Sequence, residues 1–194
     1  MLNIVLFGPP GAGKGTQSAR LIEKYNLMHV STGELLREAI KENSPLGQEA
    51  KKYIDRGELV PDNMVIDLIE FLLDQHHDFS GIVFDGFPRT TVQAKELDNM
   101  LAARGTSIAV MMSLEVDYNE LMSRLMARSK LDDRSDDRDM SIIENRIQVY
   151  NRQTAVVIDF YKSQNKYKPI DGMGTIDDIF DRIVSGVESF IQKK

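Results

Sequence analysis

Cysteine is absent from the sequence of 194 residues, and no uninterrupted apolar run approaches about 18 residues. The lack of cysteine excludes disulfides, thiolate zinc sites and a cysteine nucleophile, and it fits a reducing compartment. The lack of a long apolar run excludes a membrane-spanning helix. Residues 1–8 carry neither a basic segment nor a small-residue cleavage site, so we expect no signal peptide. Together these absences predict a cytoplasmic protein that does not enter a membrane.

Positive charge is also in deficit, because 24 Lys and Arg stand against 30 Asp and Glu, for a net charge of −6. A protein that binds nucleic acids normally has a basic balance, so we expect no nucleic-acid partner. An anionic small molecule would have to meet a local cluster of positive side chains. What is present, 42% hydrophobic and 28% charged residues, is typical of one globular domain.

Short apolar segments alternate along the chain with segments of helical periodicity. Residues 3–7 are apolar at nearly every position, which is typical of a central strand buried on both faces of a parallel sheet. Further strands are predicted near Val30 and over residues 82–86, 107–114 and 167–171. Helices between successive strands define an α/β fold, a three-layer sandwich in which helices flank five parallel strands joined by right-handed crossovers.

Three stretches carry further information about the organisation of the chain. Three helical segments follow one another between residues 33 and 73 without a strand, so we expect a helical insertion that covers a substrate. Residues 129–139 are rich in Asp and Arg and offer almost nothing apolar to bury, so we expect a mobile lid. Residues 140–164 then predict one long helix.

The most specific motif is the glycine-rich segment Gly8-Pro9-Pro10-Gly11-Ala12-Gly13-Lys14-Gly15-Thr16, which lies between a buried strand and a helix. Glycines allow backbone N–H groups to turn inward around an anion, and the following helix adds its positive N-terminal end. Lys14 then supplies a point charge for the outer phosphates of a nucleoside triphosphate. Gly15 stands where phosphate loops usually have Ser or Thr, and Thr16 follows one place later. A direct bond from a hydroxyl to magnesium is therefore less expected here.

A phosphate loop also occurs in GTP-binding switches, which add an Asp-x-x-Gly switch and an Asn-Lys-x-Asp base reader. Here Gly86-Phe87-Pro88 follows Asp85, and the segment nearest to a base reader, Asn165-Lys166-Tyr167-Lys168, ends in lysine. The interpretation as a GTP switch therefore loses its best support.

Three further segments indicate a second phosphorylated ligand. They are Ser31-Thr32-Gly33-Glu34-Leu35-Leu36-Arg37, Gly57-Glu58-Leu59-Val60-Pro61-Asp62, and Asp85-Gly86-Phe87-Pro88-Arg89-Thr90 with Gln93. With the glycine loop and a late series of arginines, in this order and approximate spacing, the sequence resembles the adenylate kinases over essentially its whole length. That family carries out ATP + AMP ⇌ 2 ADP, with AMP under a helical flap and ATP under a lid.

The resemblance implies a single adenylate kinase domain over residues 1–194, made of three parts. The flap, which would bind the nucleoside monophosphate, is residues 31–60, and the lid is residues 129–139. The core comprises residues 1–30, 61–128 and 140–194. The short interval between Arg128 and Arg146 resembles the short-lid form of the family. Long lids sometimes carry four zinc-binding cysteines, so no zinc is expected here.

The resemblance also implies two sets of nucleotide contacts. Around the base of AMP, the contacts would be Thr32, Gln93 at the edge of adenine, and the backbone of Glu58, Leu59 and Val60 along adenine. On the phosphate they would be Arg37 and Arg89. Gly86, Phe87, Pro88, Arg134 and Arg146 would also contact AMP. The ATP contacts would be Gly11, Ala12, Gly13, Lys14, Gly15, Thr16, Arg128 and Gly174. Arg124 lies one turn before Arg128 on the same helix face, so we expect it to contact phosphate as well. Arg138 is the competing candidate for the role of Arg134.

The number of arginines has a physical reason in the charge of two nucleotides. Two unit charges ~4 Å apart repel by ~4 kcal/mol at an effective dielectric of ~20. Mg²⁺ would offset this repulsion together with Lys14, Arg37, Arg89, Arg124, Arg128, Arg134 and Arg146. Arginine suits this role because its planar fork holds two phosphate oxygens and stays protonated.

We expect no general base, because the attacking phosphate of AMP is already an anion and positioning carries most of phosphoryl transfer. Asp85 ends its strand at the carboxyl edge of the sheet, so we expect it to orient magnesium-bound water. Magnesium would then be held by nucleotide and water rather than directly by the protein.

Two other functions remain open. A UMP/CMP kinase would typically have Ala in place of Thr32 and Asn in place of Gln93, and a regulatory module would bind nucleotides without transferring phosphate. Short-lid relatives are commonly monomers, and we expect the same here, with ATP, AMP and ADP as the partners.

Overall fold

A computed structural model of the chain describes residues 1–75, 79–130, 134–137 and 139–191. The strands are β1 (Leu2–Phe7), β2 (Met28–Ser31), β3 (Gly81–Asp85), β4 (Ile108–Glu115) and β5 (Tyr167–Asp171). The helices are α1 (Lys14–Tyr25), α2 (Thr32–Lys41), α3 (Pro45–Ile54), α4 (Asp62–Gln75), α5 (Thr91–Ala103), α6 (Tyr118–Ser129), α7 (Met140–Val149), α8 (Val157–Ser163) and α9 (Ile176–Ile191). Within these ranges, no helix combines the length and the apolar character needed to cross a membrane.

The five strands form a parallel sheet in the order β2-β3-β1-β4-β5, which confirms the fold predicted from the sequence. At its carboxyl edge, Asp85 of β3 pairs with Leu6 of β1 on one side and with Ser31 of β2 on the other. Because parallel strands end at the same edge, the loops that follow β1, β2 and β3 lie side by side there. Three of the four motifs found in the sequence begin at the ends of these three strands, whereas the motif of residues 57–62 follows α3.

Helices pack on both faces of the sheet, and two neighbouring residues of β1 show why. Ile4 and Val5 are both fully buried, although successive side chains of a strand point to opposite faces. Ile4 packs in a cluster with Leu21 of α1, whereas Val5 packs in a separate cluster with Leu97 of α5. Burial on both faces explains why β1 is apolar at nearly every position, and it fixes the position of the glycine loop that follows the strand.

Helices α2, α3 and α4 follow one another between β2 and β3, as expected for the helical insertion, and α2 and α3 start at serine caps. The hydroxyl of Ser31 accepts a hydrogen bond from the Glu34 N–H at the start of α2, and Ser44 accepts one from the Gly47 N–H at the start of α3. Gly47 also lies so close to the carbonyl of Ala39 that a side chain would overlap it. The two helices therefore pack on each other tightly.

The helix predicted over residues 140–164 is interrupted, which corrects the sequence-based prediction. Helix α7 ends at Val149, a π-helical turn spans Tyr150–Thr154, and α8 begins at Val157. The N–H of Ala155 donates to the carbonyl of Tyr150, five residues earlier, at 2.8 Å. Such a turn widens the helix without disturbing its apolar periodicity enough to be read from sequence, and π turns occur often at functional sites.

Within the described part of the predicted lid, a short 3-10 turn spans Ser135–Asp137, whereas residues 131–133 and 138 lie outside the described ranges. Asp136 and Asp137 are buried. Their carboxylates are held by ion pairs to Arg128 of α6 and Arg146 of α7. A run of Asp and Arg is typical of a solvated segment, so the charge pattern gave no indication of this burial.

Candidate active site

The glycine-rich loop after β1 has the backbone geometry of an anion-binding loop. Gly8, Gly11 and Gly13 all have positive φ, a conformation that side chains rarely adopt. Gly13 is the N-cap of α1 and makes no side-chain cap, so the helix presents backbone N–H groups at its first turn. These features fit a site for the phosphates of a nucleotide.

Lys14 lies at the start of α1 with its ammonium group turned back into the loop. Its Nζ donates hydrogen bonds to the carbonyls of Gly8, at 2.8 Å, and Pro9, at 3.0 Å. Burial lowers the pKa of Lys14 to about 8, against the opposing effect of Asp85 and with further lowering by neighbouring arginines. A buried cation with this much desolvation has a strong electrostatic preference for an anion placed beside it.

Asp85 lies beside the phosphate loop, as expected for the acid that ends β3. A Cβ built on Gly15 would lie 3.8 Å from Oδ2 of Asp85, so the carboxylate faces the first turn of α1. The imidazole of His29 lies on its other side, with 4.0 Å between Nε2 and the same oxygen. His29 was not singled out from the sequence, since only the pairing of β2 with β3 brings it to Asp85.

A cavity opens next to Lys14, between the sheet edge, the helical insertion and α7. Of the residues expected to bind AMP, those that line it are Thr32, Arg37, Glu58, Leu59, Val60, Gly86, Pro88, Arg89, Gln93 and Arg146. Phe87 is buried in the core beneath this wall. Lys14 lines the same cavity, so the phosphate loop and the second anion site share one space.

The carbonyl of Gly86 joins the two sides of this cavity. It accepts a hydrogen bond from Oγ1 of Thr32 and another from Nε of Arg89, both at 2.8 Å. Burial lowers the pKa of Arg89 to about 10, with a further contribution from the charge of Arg146. Arg89 is therefore a desolvated cation at neutral pH, held in orientation by the backbone.

Gln93 has an amide of fixed orientation. Its Oε1 accepts the N–H of Arg89 at 2.7 Å, and its Nε2 donates to Oδ1 of Asp62 at 2.8 Å. Thr90 donates from Oγ1 to the same carboxylate, at 3.0 Å to each oxygen. Asp62 was not singled out as a site residue, although it is the last residue of the Gly57–Asp62 motif.

Arg128 and Arg146 are paired with the acids of the predicted lid. Arg128 makes a two-point contact with Asp137, at 2.6 Å from Nε and 2.9 Å from Nη2. Arg146 contacts Asp137 as well and pairs with Asp136, with 3.0 Å between Nη2 and Oδ2. Oδ1 of Asp136 is buried and has no hydrogen-bond partner among the described residues.

Arg37 and Arg134 lie close enough to influence each other electrostatically. Burial lowers the pKa of Arg37, and the charge of Arg134 lowers it further, while Asp136 acts in the opposite direction. Arg134 does not line the cavity, although its charge acts on Arg37. Arg138, the competing candidate, lies outside the described residues.

Arg124 and Gly174 lie apart from the cavity, toward the other end of the phosphate loop. Arg124 pairs with Glu120 and donates from Nη2 to the carbonyl of Gly172 at 3.0 Å, and from Nη1 to that of Ala12 at 3.4 Å. It therefore bridges the phosphate loop and the turn that holds Gly174, whose φ is positive. Arg128 likewise does not line the cavity, and these residues remain predictions for the triphosphate side.

Sequence reasoning missed the apolar part of the cavity wall. These lining residues are Leu6, Phe7, Leu36, Ile54, Val65, Val149 and Tyr150. Tyr150 packs its ring against Phe7, with 5.6 Å between centroids, and burial raises its pKa above the ordinary value. Helical spacing offered a signal for two of them, because Leu36 lies one turn after Thr32 and Tyr150 one turn after Arg146.

A phosphate loop at the edge of a parallel sheet, next to a cavity lined with arginine, defines a nucleoside monophosphate kinase, which is a phosphotransferase. The family model described as adenylate kinase matches residues 6–166. The chain belongs to the adenylate kinase family.

Known relatives agree over nearly the whole chain. An adenylate kinase of Bacteroides thetaiotaomicron is 50% identical over 188 residues, which are 97% of this chain and 99% of that protein. An adenylate kinase of Flavobacterium johnsoniae is 45% identical over 189 residues, 97% of this chain and 100% of that protein. The similarity therefore includes the predicted flap and the predicted lid as well as the phosphate loop.

Proposed function

We propose that the chain catalyses ATP + AMP ⇌ 2 ADP and so maintains the balance of adenine nucleotides. The observation that carries the proposal is the position of Lys14. It belongs to the phosphate loop, and it also lines the cavity that the predicted AMP-binding residues surround. Arg89 and Arg146 lie near enough to lower its pKa. Two polyanions bound on either side of this cluster would meet end to end, as phosphoryl transfer requires.

AMP would bind under the flap, residues 31–60. Arg37, Arg89, Arg134 and Arg146 would hold its phosphate, and Thr32, Gln93 and the backbone of residues 58–60 would surround its base. The fixed amide of Gln93 supports this assignment, because an amide anchored by Asp62 offers its remaining lone pair and N–H in one defined direction. The segment 86–88 would form the floor between base and phosphate.

ATP would bind over the phosphate loop, under the lid of residues 129–139. The backbone of residues 11–16 and Lys14 would hold its phosphates, and Arg128 would reach them once released from Asp137. Arg124, which bridges Ala12 and Gly172, would lie beside the nucleotide with Gly174 at its base. The core that carries both sites would be residues 1–30, 61–128 and 140–194.

The residues around Asp85 fit a magnesium ion that is held by nucleotide and water. In the described part of the chain, no group of three or more His, Asp and Glu side chains could hold a metal by itself. Asp85 faces the first turn of α1 at Gly15, where no hydroxyl competes, so its carboxylate would accept hydrogen bonds from metal-bound water. When bound, Mg²⁺ would neutralise phosphate charge during transfer.

In the reaction, the phosphate of AMP would attack as an anion, with Arg89 and Arg146 holding it in line. The bond to the leaving ADP would break as the new one forms, and Lys14 would stabilise the charge on the transferred group. Closure of the lid would exclude water, which competes with AMP for the γ-phosphate. No side chain would need to accept a proton.

The test is a coupled assay of ADP formation from ATP with AMP, CMP and UMP in turn, with and without Mg²⁺. We expect fast turnover with AMP that depends on the metal. Faster turnover with CMP or UMP would instead support a pyrimidine nucleotide kinase, and nucleotide binding without ADP formation would support a regulatory module. Size-exclusion chromatography tests the further proposal that the enzyme is a monomer. Cell fractionation tests the proposal that it is cytoplasmic.

A further inference from the structure

The flap contacts the core through α7 as well as through its chain connections. Asn145 of α7 donates a hydrogen bond from Nδ2 to the carbonyl oxygen of Arg56, at 2.7 Å. Because Arg56 follows the end of α3 at Ile54, this carbonyl has no partner within the helix. The bond joins two residues that lie 89 positions apart in the chain.

The next residue of the flap, Gly57, packs directly on the same turn of α7. A Cβ built on Gly57 would lie 2.9 Å from the carbonyl oxygen of Ile142 and 2.8 Å from Cγ of Arg146. The φ of Gly57 is +70°, which side chains rarely adopt. A glycine here lets the flap approach α7 at backbone distance, and that approach places Arg56 within reach of Asn145.

The contact forms part of the wall of the monophosphate cavity, because Gly57 and Arg146 both line it. Arg146 follows Asn145 directly in α7. Separation of the flap from α7 would therefore move the adenine slot of residues 58–60 away from the arginine that we propose for the phosphate. The tight packing of α2 on α3 would make the flap move as a unit.

We propose that Asn145 is a positioning residue: its hydrogen bond to Arg56 holds the flap against α7 and thereby sets the affinity for AMP. This inference rests on the proposed function of the flap as the AMP site. A ligand that needs the closed flap binds with an apparent affinity that falls with the closed fraction. One net hydrogen bond changes such an equilibrium by about two- to tenfold.

The first test measures the flap without any nucleotide. Since the chain has no cysteine, Lys52→Cys and Glu144→Cys place two spin labels, one on α3 and one on α7, at exposed positions. Asn145→Asp keeps the shape of the side chain and removes the donor. We expect the distribution of distances between the two labels to shift to longer values in this variant. Gln148→Glu, which adds the same charge at an exposed position of α7, is expected to leave it unchanged.

The second test measures binding of AMP and of ATP by calorimetry. We expect Asn145→Asp and Asn145→Ala to raise the Kd for AMP about two- to tenfold, with the Kd for ATP and the Tm unchanged. Unchanged label distances, an unchanged Kd for AMP, or an equal loss for both nucleotides with a lower Tm would each overturn the inference. If the wild-type chain formed no ADP from ATP and AMP, the proposed function would fail, whereas the label distances would still decide whether the bond holds the flap.

Discussion

The carboxylate of Asp137 accepts two hydrogen bonds from the guanidinium of Arg128 and pairs with Arg146 as well. Burial acts to raise the pKa of Asp137, but the bonds from Arg128 and the charge of Arg146 outweigh it, so this pKa lies below its ordinary value. An acid of the lid thus occupies two arginines that we propose for phosphate. Incoming nucleotides would have to compete with it for them.

We predict that Asp137→Asn lowers the free energy of unfolding by about 1.5–3 kcal/mol at pH 7, because it removes a charged partner from two cations. The pKa of Asp137 is lower in the folded state than in the unfolded state, so its stabilisation is present above pH ~4. It is lost as the pH falls through the folded-state pKa. The free energies of unfolding of wild type and variant, measured in urea, should therefore become equal at low pH.

The control for this prediction is Asp177→Asn. Asp177 also pairs with an arginine, Arg20, but its side chain is 82% exposed. An exposed ion pair of this kind contributes little to stability, so we expect Asp177→Asn to change the free energy of unfolding by no more than about 0.5 kcal/mol. If Asp137→Asn changed stability no more than Asp177→Asn does, the ion pairs of the lid would not contribute to stability.

We predict that Arg89→Ala lowers turnover about 100- to 1,000-fold, which is the usual effect of removing one group that stabilises transferred charge. Its pKa of about 10 leaves it charged at pH 7, and the carbonyl of Gly86 already orients it. The Kd for ATP should stay within about twofold, since Arg89 lies on the monophosphate side. Arg104→Ala, which removes an arginine paired with Asp74, is the control and should keep full turnover.

The sequence was sufficient to predict the sheet and the phosphate loop for physical reasons. Strand β1 is buried on both faces and so is apolar at nearly every position, and the glycines after it have a backbone conformation that few other residues can adopt. Caps such as Ser31 and Ser44 stand directly before the helices that they start. These signals are local, and each can be read within a few neighbouring residues.

What could not be predicted depends on contacts between distant segments. The burial of Asp136 requires Arg146 to approach from α7, and the bond between Asn145 and Arg56 joins the flap to the same helix. The π turn of Tyr150–Thr154 changes the backbone hydrogen bonding locally and leaves the apolar pattern nearly intact. Periodicity and motif spacing carry no information about such pairings.

We predict that Thr32→Ala combined with Gln93→Asn lowers the preference for AMP over CMP, measured as the ratio of kcat/KM values, by about tenfold or more. Thr32 lines the cavity, and Asn at position 93 would be too short to keep both the Asp62 and the Arg89 contacts. The exposed Thr91→Ala on α5 should leave the ratio unchanged. A ratio equal to that of wild type in the double variant would mean that these residues do not read the base.

Lys14 gives a prediction for the dependence on pH. Its pKa of about 8, lowered chiefly by burial, means that the free enzyme loses this cation as the pH rises through 8. Since kcat/KM reports the free enzyme, we expect kcat/KM for ATP to fall above pH 8, by up to about tenfold per pH unit. An ordinary lysine would cause this fall only near pH ~10.4. Bound phosphates favour the charged form, so kcat should fall at a higher pH than kcat/KM does.

The matched variant for this profile is Lys14→Arg, because a guanidinium stays charged throughout the range. We expect lower activity, since the fork of arginine does not fit the two carbonyl contacts of Lys14, but no fall in kcat/KM between pH 7.5 and 9.5. The measurement is initial rates of ADP formation at constant ionic strength. A wild-type profile that stays flat to pH 9.5, or a variant that falls in parallel with wild type, would show that another group controls the reaction at alkaline pH.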